Sequence, residues 1–371
     1  MKGTPRSMVT RLLVGMVIGC FVVVMWAAGS SQAQTKSYNW KIAQPYPKGT
    51  LLFSTVEDFM ARVDKASGGR IKLTHYPGTL LGDYTVQQEA IASGAQEMAF
   101  LWPSTKMSPK WDIAKLGFIF YNWEQAYAAF KPDGWNSTMW DDIAKETNWK
   151  ILASCPGSSM NVISNKLFDV TNPKGLKIRV QSNRVVESRF NVLGFSPVTI
   201  PFSEVSTALT TGTIDASSGC ATAEFSVFGE AFKYVYVTSD MFSATPLVMN
   251  LDLWKSLPAA DQKILLDASK GATDEAWKNI GNEIRKSWEG LLKWQVVVTL
   301  DGDAWSTLAQ KAREKEWTAA EAWMGKDLVG VVRKNASPLL RGKTLDQMNY
   351  GFGVLTSQWI NKRQSSIVTG R

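Results

Sequence analysis

The chain has 371 residues, 45% of them hydrophobic, and a formal charge of +8 at pH 7. Its 41 lysines and arginines are scattered, with no basic block and no interleaving of arginine with aromatic residues, so nucleic acid is a poor candidate partner. The single histidine, His75, leaves a Ser-His-Asp triad one possible base and a histidine-rich metal site none; the acids show no calcium-loop spacing, so most enzyme classes lose weight and no cofactor or metal is expected.

The first residues read as an export signal. Lys2, Arg6 and Arg11 precede an uncharged run over 12–28, and Ser31-Gln32-Ala33 offers the small residues that a signal peptidase reads, which puts the cut after Ala33. That cut removes three positive charges and no negative one, so +8 becomes +5. Two alternatives stay open: an uncleaved anchor, because the run approaches bilayer-spanning length, and a lipid on Cys20 of Val17-Ile18-Gly19-Cys20. The length that remains suits two lobes, with 34–150 forming the first and 151–244 the second.

In chain order, 38–43 is a predicted strand ending at Gln44-Pro45. A helix follows with Leu52, Val56, Phe59 and Val63 on one stripe, stopped at Gly68-Gly69. A strand over 71–76, a helix over 85–92 and an apolar strand over 98–101 complete a strand–helix alternation, which predicts an α/β lobe with a largely parallel sheet. The second lobe repeats it: strands over 151–154 and 176–180, a helix over 184–193 with Val186, Phe190 and Leu193 on one face, a short helix capped by Ser203, and a strand over 213–216. From Pro258 to Trp294 runs one helical pattern, about 50 Å long at 1.5 Å per residue, which suits a helix bracing both lobes; Gly271 and Gly281 could kink it. The first lobe takes part of 245–290 and the second part of the C-terminal region. The stretch 295–371 is predicted to open with a strand up to Leu300, to be mostly helical, and to fray from Lys362. Most of the tryptophans, Trp135, Trp140, Trp277 and Trp288 among them, suit core and interface roles better than carbohydrate stacking.

Several segments carry a family likeness. Gly68-Gly69-Arg70-Ile71, Tyr76-Pro77-Gly78, Leu80-Leu81-Gly82 and Gly94-Ala95-Gln96-Glu97-Met98 resemble the first lobe of DctP-type solute-binding proteins of tripartite ATP-independent periplasmic (TRAP) transporters. The second lobe matches better, with Gly175-Leu176-Lys177-Ile178-Arg179-Val180, then Leu193-Gly194, Pro197, Pro201-Phe202-Ser203-Glu204-Val205, Ala208-Leu209 and Gly212-Thr213-Ile214-Asp215 in the family's order and spacing. Asn250 through Trp254 to Leu257-Pro258 and Gln262 resembles the opening of the family's long helix. The likeness implies a periplasmic, two-lobed α/β protein without enzymatic activity. It would bind an organic acid between its lobes and deliver it to the small and large subunits of a sodium-driven membrane permease. A binding protein of an ATP-driven importer, a periplasmic hydrolase using His75 and a ligand sensor remain as rivals.

Strand alternation turns Lys177 and Arg179 away from the face of Ile178 and Val180, and the likeness gives Arg179 the role of binding a substrate carboxylate, which a guanidinium can do with two parallel donors. Ser159 stands where many members carry a second arginine, and Gly219 where many carry an asparagine, so sialic acid is a doubtful ligand. Phe202 matches an aromatic lid position. Trp102 ends the strand over 98–101 at its carboxyl end, where open α/β sheets bind ligands, and occupies the place of a sugar-binding glutamate. Gln44 is in position to donate from the first lobe. Cys155 and Cys220, exported together, are a candidate disulfide; two buried thiols are the alternative.

Overall fold

A computed structural model describes residues 36–46, 48–78, 80–82, 84–120, 123–181, 183–201, 204–221, 228–291, 296–300, 302–338 and 367–370. The expected export segment with its cleavage site, Ser203 and Phe202 lie outside the described residues. No described helix is long and apolar enough to cross a membrane.

The first predicted alternation forms as β1 (Tyr38–Gln44), α1 (Leu51–Ser67), β2 (Ile71–Pro77), α2 (Tyr84–Ser93) and β3 (Met98–Phe100). Thr50 caps α1 by accepting from Phe53 N at 3.3 Å, and Gly68 closes it in the left-handed region at φ 62°. Leu52, Val56, Phe59 and Val63 are buried as one stripe. A 3-10 helix, Pro109–Lys115, then leads to α3 (Trp123–Phe130) and α4 (Trp135–Glu146), which the sequence pattern leaves unassigned. Their aromatic rings close the core. Trp111 lies 6.0 Å from Trp140 and 5.8 Å from Trp149, and Trp123 lies 6.1 Å from Trp277.

The second alternation comprises β4 (Trp149–Ser164), β5 (Lys177–Val180), α5 (Arg184–Val192), β6 (Ser196–Thr199), α6 (Val205–Thr210) and β7 (Ala216–Ala221). Beyond it lie β8 (Tyr234–Asn250), α7 (Leu251–Ser256), α8 (Ala259–Leu291), β9 (Val296–Leu300), α9 (Gly302–Met324), α10 (Lys326–Asn335) and β10 (Ile367–Gly370). Two expectations need correction. The strand predicted over 213–216 starts where it was expected to end, because Asp215 is spent on the entry: its N–H donates to Lys177 O and its carboxylate accepts from Lys177 N, both at 2.9 Å. The tail does not fray throughout, since Ile367–Gly370 pairs in parallel with Val297–Leu300.

Strand order is β2-β1-β3-β8-β4-β7-β5-β6, with β9 on β8 and β10 on β9. The sheet is parallel at β1–β3 and across β7–β5–β6, but β8 runs antiparallel to β3 and β4, and β4 antiparallel to β7. The largely parallel expectation therefore holds only away from the centre. β4 and β8 are the reason: both run through the two halves of the sheet. Their mutual register shifts between Pro156 and Ser159 and between Met160 and Val162, and Ser239 opposite the second shift has φ 43°. Gly157 is required at the first shift, since a Cβ there would meet Ser243 Oγ at 2.3 Å.

The long helix α8 has 33 residues and is unbroken. Gly271 lets it cross α1 closely instead of kinking it, because a Cβ there would meet Arg62 Nη1 at 2.6 Å. Trp277 Nε1 donates to Ser154 O at 2.9 Å and Asp261 accepts from Arg70 at 2.7 Å, fastening α8 to the first half. Its Ile280 and Ile284 belong to the same core as Val205, Leu209 and Val235 from the second.

Cys155 is a buried free thiol whose Sγ donates to Thr55 Oγ1 at 3.6 Å. Cys220 pairs with Asn161, six residues farther along β4. Six strand residues span about 20 Å, far beyond the ~7 Å Cα separation that a disulfide tolerates, so the candidate disulfide does not form in this fold. Burial pushes the Cys155 thiol up to about 12, against the hydrogen bond to Thr55. In the native protein at pH 8, Cys155 is accordingly expected to resist an aromatic disulfide reagent. Denaturation without reductant should expose two thiols from Cys155 and Cys220, and a count of zero would contradict the register.

Candidate functional site

The parallel strands of the two halves run toward each other along β8. Leu101 N, just past β3, donates to Pro246 O on β8 at 3.3 Å, and Ala221 at the end of β7 is registered with Met160, which pairs with Met241. The two halves thus deliver their strand ends to positions 246 and 241 of β8, about 17 Å apart at strand rise. Open α/β sheets bind ligands at such a crevice.

Arg179 lies on β5, which runs parallel to β7. Lys177 is exposed while Arg179 is only 3% exposed, although strand alternation puts them on one face. Its Nε donates at 2.9 Å to Ile200 O, one residue past β6. Ser218 Oγ donates at 2.8 Å to Arg179 O and holds the backbone.

Ser159 shares the Arg179 face by register, through Ile163 and Ser217. It is fully buried and its Oγ has no partner among the described residues, a costly arrangement for a hydroxyl unless something else supplies one. Gly219, at φ 67°, is the extra residue of a bulge, since β7 uses three steps from Ser217 to Cys220 where β4 uses two. A Cβ on Gly219 would come 3.0 Å from Gln181 Nε2. Gln181 therefore fills the space beside the missing asparagine side chain; it follows β5 and its amide makes no hydrogen bond with the described residues. No motif singled it out.

From the first half comes Trp102, half-buried against Met160 and Met241. Gln88 pins its loop, donating to Trp102 O at 2.7 Å and accepting from Ser104 Oγ at 2.7 Å. Over the Trp102 ring, at 5.9 Å from its centre, stands Lys115 Nζ. Burial pulls the Lys115 ammonium down to about 8, with Asp112 pulling the other way. Burial raises the Asp112 carboxyl too, against hydrogen bonds from Asn183 at 2.6 Å and Trp323 at 2.8 Å.

Gln44 is buried at the end of β1, but both ends of its amide are engaged locally. Oε1 accepts from Tyr46 N at 2.7 Å, and Nε2 donates to Tyr46 O at 2.8 Å and lies 3.4 Å from His75 Nε2. His75 Nδ1 lies 3.3 Å from Glu57, and no hydroxyl or thiol of the described residues bonds its ring. A cavity of 310 Å³ opens elsewhere, between α3, α4, β4 and α8; its lining includes Asp141, Lys145, Ser154 and Trp277 but none of the expected site residues. No group of three or more His, Cys, Asp or Glu among the described residues could hold a metal.

Comparison with known proteins adds three findings. The sequence pattern of the bacterial extracellular solute-binding proteins, family 7, matches residues 42–318. The C4-dicarboxylate-binding periplasmic protein DctP of Rhodobacter capsulatus is 25% identical over 285 residues, covering 72% of this chain and 81% of its own. Two solved TRAP periplasmic solute-binding proteins share the fold. One from Desulfovibrio salexigens with bound orotic acid has a TM-score of 0.73 at 20% identity, over 81% of this chain and 98% of that one. One from Sulfurospirillum deleyianum with bound succinate has a TM-score of 0.69 at 23% identity, over 81% and 99%.

Proposed function

The chain belongs to the bacterial extracellular solute-binding protein family 7, and we propose that it captures a small organic acid in the periplasm and carries it to the membrane subunits of a TRAP transporter. What supports this reading is Arg179, a buried arginine on β5 whose Nε donates to Ile200 O just past the end of the neighbouring β6. A guanidinium there offers a carboxylate two parallel charge-assisted donors in a dry site. Ser159 Oγ and the Gln181 amide take the helper roles that an arginine and an asparagine have in other members, and Trp102 supplies an apolar wall. The family likeness gives Phe202, outside the described residues, the role of a lid, and the two halves are lobes that hinge where β4 and β8 shift register. The engagement of His75 by Gln44 and Glu57 favours binding without turnover over a hydrolase. Gln44 shapes the loop it bonds.

A thermal-shift screen of monocarboxylates, dicarboxylates, hydroxy acids and aromatic acids tests the reading, because a ligand that binds only the folded state raises its melting temperature. At least one class should raise it by several degrees and should compact the protein in small-angle scattering. Failure of every acid at millimolar concentration would overturn the proposal.

A further inference from the structure

We infer that Lys115 is a second anion anchor of the crevice, so that the ligand carries an anionic oxygen at each end, one held by Arg179 and one by Lys115, with its middle against Trp102. This rests on the reading of the crevice as an acid-binding site. Lys115 is 6% exposed, yet its Nζ has no hydrogen bond or ion pair with the described residues; it stands over the face of Trp102, 5.9 Å from the ring centre. Asp112 does not neutralise it by contact, being occupied by Asn183, Trp323 and, at 3.9 Å, Arg184. A buried ammonium without a partner is unfavourable, and a protein that retains one has a use for the charge.

The position is built, not accidental. The 3-10 helix that carries Lys115 is tied at Asp112 to Asn183, four residues past Arg179, which anchors it near the carboxyl end of β5. The Lys115 carbonyl accepts from Arg189 Nη2, which fixes the end of that helix. On the far side, Trp102 rests on Met160 and Met241, at the point where β7 ends. A linear acid along this path would meet a cation, an aromatic face and a second cation.

Calorimetry with paired probes tests it: succinate against butyrate, glutarate against pentanoate, adipate against hexanoate. Wild type should prefer the diacid of at least one pair, and Lys115→Met should weaken that diacid about 100-fold while the matching monoacid changes less than about threefold. Lys115→Gln should recover only part. Without ligand, Lys115→Met should melt at or above the wild-type temperature, because an isolated buried charge has been removed. A diacid affinity unchanged in Lys115→Met, or a wild type indifferent between the paired acids, would overturn the role of Lys115 while leaving Arg179 as the carboxylate site. If wild type binds no member of either series, this inference fails, while the acid-binding reading falls only if the hydroxy and aromatic acids of the thermal-shift screen fail too.

Discussion

Replacing Arg189 by methionine is expected to destabilise the protein by about 3–5 kcal/mol, because it strands two buried carboxylates. Arg189 is 1% exposed; its Nη1 donates to Asp240 at 2.7 Å and its Nε to Glu316 at 2.7 Å. Glu316 also accepts from Gly117 N at 2.7 Å, and Asp240 O accepts from Phe118 N at 2.7 Å. One guanidinium thus joins α5, α9, the segment after Lys115 and the bulged part of β8. Gly117 must be glycine for this, since a Cβ there would meet Arg189 Nε at 2.3 Å. Burial already raises the Glu316 carboxyl above its usual range, against the pull of Arg189, and the variant removes that pull. A carboxyl with a raised folded pKa contributes stability that is full below its unfolded value and lost as pH rises through the folded one. Urea unfolding should therefore show the deficit largest at pH 7–8 and smaller near pH 5. A deficit under about 1 kcal/mol, or one that does not shrink with acid, would mean that the two carboxylates find other partners.

The contrast between Arg189 and α1 shows what the sequence could reveal. Leu52, Val56, Phe59 and Val63 announce α1 because a helix writes its own periodicity, and Gly68 marks its end by a local backbone need. The same local logic found β5, α5 and the long α8. Of β4 only 151–154 could be read, and β8 not at all, because both are buried on two faces and interrupted by bulges, so neither alternates with a period of two. Arg189 lies on a legible helix, but its partner Glu316 is 127 residues away, and no local pattern encodes that. The site divides in the same manner. Arg179 could be singled out by its strand and its family segment, and Ser159 and Gly219 as departures from a motif. Lys115 and Gln181 carry no motif; they become visible only when the fold brings the 3-10 helix over Trp102 and the bulge at Gly219 beside the end of β5.

Truncating Arg179 to alanine should cost about 3–5 kcal/mol of ligand affinity, because the bound anion would be enclosed without its counter-charge. That is roughly 10²–10³-fold in Kd. The structure sharpens the expectation for lysine. The bond from Nε to Ile200 O at 2.9 Å constrains the orientation of the guanidinium. An ammonium has no group to make that bond while also reaching the carboxylate, so Arg179→Lys should restore charge without orientation and recover only part of the loss. Ser159 and Gly219 offer a smaller hydroxyl and no side chain where other members have an arginine and an asparagine, which concentrates the task on Arg179. Removing Arg179 is expected to cost less stability than removing Arg189, because its Nε donates to a neutral backbone carbonyl, Ile200 O, whereas Arg189 bonds two buried carboxylates. Calorimetry beside a melting curve separates these outcomes. A normally folded Arg179→Ala that binds within threefold of wild type would move the carboxylate site away from β5.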